Sequence, residues 1–446
     1  MANYLAYPEY SPDGFPASWE HKRLRFALKM NPSKNEIDLD DSDLVSFVPM
    51  EAVGEYGGIR LNEEKELSEI GSGYTYFCDD DVVVAKITPC FENGKGALAK
   101  GLKNKTAFGT TELHVMRTAP EQLEPEFLFY LTISDLFRKI GESEMYGAGG
   151  QKRVPESFIK DFRASLPSIK EQQAIARFLG FKTAQIDALI SKKRELLDKL
   201  VEKRIALISH AVSKGLDPSV PMKNSGVTWL GDIPAHWDTK RLKFVGKTRY
   251  GLGEPPQKLD GGIPFIRATD IYRGQIDGAK VQTVDPDCVP WSRNPTLKAK
   301  DILVVRSGAY TGDSAIVPAE WEGSIAGYDM VYTAEGALPE YIALNLLSKH
   351  VLNGQIYLAK HRAAQPHLNA EELGDVVIAL PPPEEQVEIV AYIEEGAKKL
   401  AIQCDLVISV VEHLHEYRSS LITNAVTGRI DVRDFEIPQS AKGLVS

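Results

Sequence analysis

The stretch Leu166-Pro167-Ser168-Ile169-Lys170-Glu171-Gln172 returns later in the chain as Leu380-Pro381-Pro382-Pro383-Glu384-Glu385-Gln386. The separation, 385 − 171 = 214 residues, also links Leu207, Ile208, Ala211 and Val212 to Leu421, Ile422, Ala425 and Val426, and Asp217 to Asp431. A separation that stays constant over so long a span means one helical segment was copied without a gap. The chain is therefore an internal repeat, and each copy contributes one long helix.

Ser168 and Glu171 stand in the S-x-x-E relation of a capping box, so the first helix is expected over 169–214, about 65 Å long at 1.5 Å per residue. Along it Ile186, Ile190, Lys193, Leu197, Leu200, Arg204, Leu207 and Ala211 recur at alternating spacings of four and three. Leu400, Cys404, Val407, Val411, Leu414, Arg418, Leu421 and Ala425 repeat the pattern in a second helix over 383–428. Such a stripe needs a partner helix. The other copy is the natural one, in an antiparallel pair joined along Ile186, Ile190, Leu197, Leu200 and Leu207 of one helix and Leu400, Val407, Val411, Leu414 and Leu421 of the other. Arg204 and Arg418 fall on the stripe and are expected to bridge to Glu202 or Glu416 of the opposing helix or to face a partner protein.

Outside the helices the repeat loosens to an offset near 218. Phe15-Pro-Ala-Ser-Trp19-Glu-His-Lys22-Arg23-Leu24 echoes Ile233-Pro-Ala-His-Trp237-Asp-Thr-Lys240-Arg241-Leu242, and Asp81-Val-Val-Val-Ala-Lys86 resembles Asp301-Ile-Leu-Val-Val-Arg306. Short β-rich runs alternate with turn signals, and a helical stretch over 125–140 matches one over 339–352. The expected class is α+β. A mixed domain (1–168), a long helix (169–214), a Pro-, Gly- and Ser-bearing linker (215–231), a second domain (232–382), a second helix (383–428) and a tail (429–446) follow in order. Such a linker leaves the second domain free to swing back. Trp19 and Trp237 read as core anchors.

The bulk numbers bound the function. A chain of 446 residues that is 43% hydrophobic can bury two ordinary cores. The four cysteines show no metal-ligand spacing, which suits a reducing compartment. The N-terminal residues lack a signal-peptide pattern and no apolar run nears the roughly 20 residues of a membrane span, so cytoplasmic residence is expected. A net charge of −10 argues against a stand-alone polyanion binder. Any nucleic-acid surface must be local or shared with a partner.

The sequence carries no recognisable catalytic pattern. After Asp81 the position two before Lys86 is Val84, which rules out the acidic pair of a PD-(D/E)xK nuclease. Asp79-Asp80-Asp81 reads as a solvated turn rather than a cation site. Gly147-Ala-Gly149-Gly150 has no glycine-rich counterpart in the second copy, where Arg362-Ala-Ala-Gln365 stands. No amino-methyltransferase tetrad or Ser/His/Asp set is present. No metal or cofactor is expected in this chain.

The paired motifs Pro16-Ala-Ser-Trp19 and Pro234-Ala-His-Trp237, followed by the two helix-start motifs quoted first, resemble the specificity subunits of type I restriction-modification systems over nearly the whole chain. The resemblance implies two target-recognition domains alternating with two antiparallel helices, each domain reading one half of a bipartite double-stranded DNA site. It also implies two methyltransferase subunits carrying S-adenosylmethionine, restriction/translocase subunits using ATP and Mg, and no catalysis by this chain alone. The other reading of the architecture is a two-headed, noncatalytic protein-interaction scaffold.

On the DNA reading, positions alike in both halves suit backbone contact and unlike positions suit base reading. Lys22 and Arg23, with Lys240 and Arg241, are alike and are candidate phosphate contacts. Lys86, Thr88, Asn93, Lys95, Gln151, Lys152 and Arg153 are the first domain's candidate base readers. Arg267, Arg273, Arg306, Tyr310, Thr311, Arg362, Gln365 and His367 are the second domain's. Gln151 and Gln365 occupy matching positions, whereas the loops Thr88–Gly94 and Gly308–Gly312 differ, so unlike half-sites are expected.

Overall fold

The computed structural model describes residues 6–12, 14–148, 150–360 and 366–438. Arg362 and Gln365 lie outside the described residues. The chain divides into two units, residues 1–193 with 409–446, and residues 194–408. Each unit combines one mixed domain with a stretch of both long helices.

In the first unit a four-stranded antiparallel sheet runs in the order Leu28–Met30, Leu113–Thr118, Val82–Ala85, Gly96–Leu98. Val82-Val-Val-Ala85 is apolar at every position because this strand is paired on both sides and buried on both faces. A second sheet runs Glu64–Glu66, Leu44–Val48, Thr106–Gly109, Thr75–Cys78, with its central pair parallel.

The second unit repeats the plan. Gly246–Tyr250, Met330–Ala334, Ile302–Val304 and Ser314–Ile316 form one sheet, and Gln282–Val284, Lys258–Ile266 and Ile325–Ala326 the other, again with a parallel pair. In each domain a two-stranded ribbon, Glu20–Arg23 with Arg163–Leu166 and Asp238–Arg241 with Val377–Leu380, delivers the chain to its long helix.

The first long helix spans Ile169–Lys214, as its spacing indicates, and the second spans Pro383–Val426, two residues short of the expected end. In the second unit Leu200, Leu400 and Val407 are buried together with Leu197, Leu207 and Cys404 packed on them. A Cβ at Gly396 would come within 2.5 Å of Leu207, so the glycine makes room for that leucine. Residue 207 meeting 396 while residue 200 meets 400 and 407 fixes the pair as antiparallel. In the first unit Ile186, Ile190 and Leu421 join the domain core, with Val411 and Leu414 against it.

The repeated helix-start motif proves to be a lock. Gln172 accepts from the Glu124 amide at 2.8 Å and donates to the Pro167 carbonyl at 2.9 Å. Gln386 makes the same two bonds, to Leu338 and Pro381, at the same distances. Glu171 does not complete a capping box: its carboxylate accepts from Tyr7 Oη at 2.6 Å and Trp19 Nε1 at 3.1 Å. Glu385 takes Trp237 Nε1 at 2.9 Å and His236 Nε2 at 2.8 Å. Both tryptophans are buried, as core anchors should be.

Four further expectations are corrected. Asp81 is not in a solvated turn: it is fully buried and held at 2.7 Å by both Nε and Nη2 of Arg117 on the neighbouring strand. Asp301 is its counterpart, bound by Arg249 and Thr333. The 125–140 stretch is two helices, Pro125–Thr132 and Asp135–Ser143, because Ser134 caps a new start by accepting from the Phe137 amide. The linker is partly structured, with Met222–Asn224 paired to Asp232–Pro234. Arg418 pairs with neither Glu202 nor Glu416. It meets Asp187 of the opposing helix at 3.2 Å, donates to the Tyr56 carbonyl and lies over the Tyr56 ring.

No described helix is long and apolar enough to cross a membrane. Among the described residues no cluster of histidine, cysteine, aspartate or glutamate is placed to hold a metal ion.

Candidate nucleic-acid interface

In both domains a basic residue, Lys86 or Arg306, follows the central strand, and the loop after it is tied to the segment preceding the long helix. In the first, the Lys86 carbonyl accepts from Val154, and the Thr88 hydroxyl donates to the Gly150 carbonyl and accepts from the Lys152 amide, each at 2.9 Å. In the second, the Arg306 carbonyl accepts from Leu368 at 2.8 Å, Ser307 bridges to His367, and the buried Thr311 hydroxyl donates to the carbonyls of Gly308 and Pro366. Two loops far apart in sequence are thus brought together the same way twice.

The side chains at these twin junctions differ. In the first domain Gln151 and Lys152 are exposed. Arg153 is committed to Glu112 through two bonds of 2.9 and 2.8 Å, and that hydrogen-bonded arginine holds the Glu112 carboxyl below the usual range. Asn93 donates to Glu55 and Lys95 to the Met50 carbonyl.

In the second domain Arg306 lies over the rings of Tyr250 at 4.7 Å and Tyr328 at 4.4 Å. Its amide donates to Asp329, whose carboxyl burial pushes up to about 6. Tyr310 is half exposed beside it in sequence. Arg267 is taken up by the buried Asp270, and Arg273 folds over Tyr272 at a turn with positive φ. Tyr250, Tyr328, Asp329 and Glu112 were not legible as site residues, because separate strands bring them to the junction.

The alike pairs lie on the ribbons. Lys22 pairs with Glu20, Arg23 and Arg25 share Asp161, and Arg241 and Lys243 share Asp375, while Lys240 is exposed. Shared carboxylates leave the two ribbons with less positive charge than their residue types suggest.

A family model described as the type I restriction modification DNA specificity domain matches residues 65–198 and 234–404, more than half of the chain. The chain belongs to this family. The EcoAI specificity subunit of Escherichia coli is 40% identical over 169 residues, 37% of this chain and 28% of that protein. The EcoEI specificity subunit of Escherichia coli is 37% identical over 202 residues, 44% of this chain and 34% of that protein. The matched stretches thus span about a third of these relatives' length. A chain solved in a study of complex assembly and conformational transition of the type I R-M system covers 95% of this chain and 100% of its own length, with a TM-score of 0.68 and 19% identity. That likeness shows the fold: two mixed domains alternating with two long helices in an internal repeat.

Proposed function

We propose that this chain is the noncatalytic DNA-recognition subunit of a type I restriction-modification complex, each domain reading one half of an asymmetric bipartite site. The twin junctions carry the reading. The same backbone and threonine bonds build both, yet Lys86, Gln151 and Lys152 stand in one where Arg306 and Tyr310 stand in the other. A common frame with unlike polar side chains suits two domains of one kind reading different bases. On this reading the helices set the spacer, and two methyltransferase subunits dock on the chain and carry S-adenosylmethionine. Restriction subunits bring ATP and Mg, and the complex works in the cytoplasm.

Co-expression with the methyltransferase encoded beside it, in a methylation-free host, followed by mapping of modified adenines, tests the proposal. A split motif with two unlike halves is the expected result. No new methylation, with both proteins soluble and co-purifying, would favour the protein-interaction scaffold.

A further inference from the structure

We infer that Arg306 is the guanine-reading residue of the second domain, held in reading orientation by Tyr250 and Tyr328. The inference rests on the DNA-recognition reading and adds the base and the side chain that selects it. In this acid-rich chain Arg117, Arg153, Arg241, Arg249 and Arg267 are each neutralised by a carboxylate. Among the described residues Arg306 has no such ion pair. Its guanidinium lies over two tyrosine rings instead, each between a third and a half exposed. Its Nε is buried without a partner among the described residues, and its two terminal amino groups make no hydrogen bond within them.

A guanidinium is planar and charged by itself, with its N–H donors directed in its own plane; stacking on rings restricts its rotamer and so fixes that plane. Asp329 feels the Arg306 charge without forming an ion pair with it, and its carboxyl is occupied with backbone amides, including that of Arg306 itself. A fixed pair of parallel donors with no acceptor among the described residues matches the O6 and N7 acceptors of guanine in the major groove. A phosphate contact needs charge but not a fixed plane. Lys86, at the equivalent position of the first domain, supplies charge with no described ring over it, so the stacked plane is particular to the second domain.

The test maps methylated adenines for the full chain with its methyltransferase partner. One half-motif is expected to contain a guanine at which Arg306→Gln lowers discrimination by about tenfold or more, the other half being unchanged. Tyr328→Leu, which keeps the arginine and removes one ring, is expected to weaken discrimination at the same guanine. If Arg306→Gln does not assemble, the wild-type complex is assayed on duplexes carrying 7-deazaguanine at each guanine in turn. About tenfold weaker binding at one position, abolished as a difference in Tyr328→Leu, supports the assignment. A half-motif without a guanine, an unchanged motif in Arg306→Gln, a uniform loss over all sites, or insensitivity to every 7-deazaguanine overturns it. Absence of any motif for the wild type instead refutes the DNA-recognition reading itself.

Discussion

His350 and Asp329 sit in the same unit, are both buried, and titrate in opposite senses. Burial, aided by Lys214, pushes the His350 imidazole down to about 4, so the folded chain takes up this proton less readily than the unfolded one. Its contribution to stability is complete above about pH 6.5 and is lost as pH falls toward 4. Burial raises the Asp329 carboxyl to about 6, so its contribution is complete below about pH 4 and is lost as pH rises through 6. Each effect is on the order of 3 kcal/mol, and across pH 4 to 6.5 they offset one another. His350→Gln should therefore leave the second unit gaining stability relative to the wild type as pH falls through this window, and Asp329→Asn should leave it losing stability. Urea midpoints at pH 4.5, 5.5 and 6.5 check this; parallel pH profiles for the variants and the wild type would contradict it. Gln386 raises a different residue-scale expectation. Gln386→Leu strands the Leu338 amide and the Pro381 carbonyl at a buried helix start and should cost about 2 kcal/mol in the same assay.

The long helices show what a stripe of spaced apolar residues can and cannot disclose. Leu400 is buried against Leu200 and Val407 in a seam that contains a cavity of about 360 Å³ lined in part by Leu200, Arg204, Ala397 and Cys404. Leu400→Ala enlarges a space the helices have not closed and should lower stability by about 3 kcal/mol. Ala401→Leu, on the cavity wall, should recover part of that loss in the double variant, as read by thermal melting. The extent of both helices and their stripes were legible in the sequence, because helical periodicity and start signals are local. The partner of Arg418 was not, since Asp187 lies 231 residues away and only the register of the antiparallel pair selects it. The same limit hid the Arg117–Asp81 pair and the rings around Arg306. An acidic run looks solvated until a neighbouring strand delivers its arginine, and a basic strand end looks bare until two other strand ends bring tyrosines to it.

At the scale of the whole molecule the charge balance constrains how DNA can be held. The chain carries 52 basic and 62 acidic side chains, and Arg153 in the first domain and Arg267 in the second are bound to carboxylates of their own domain. Affinity for duplex DNA comes largely from cations that release counterions, so on the proposed reading a chain with more acidic than basic side chains relies on its partners for most of its backbone contacts. The proposal therefore puts specificity and affinity in different subunits, with the junction residues discriminating among sites that the assembly already holds. Fluorescence anisotropy on a target duplex should accordingly find the chain alone binding no tighter than about 1 µM at 0.15 M salt. Adding the methyltransferase partner should bring affinity to about 10 nM or better. The slope of log affinity against log salt should also steepen when the partner joins, because the partner contributes the phosphate contacts. Nanomolar binding by the chain alone, with a slope as steep as that of the assembly, would show instead that its own cations suffice, and the division of labour between subunits would fall.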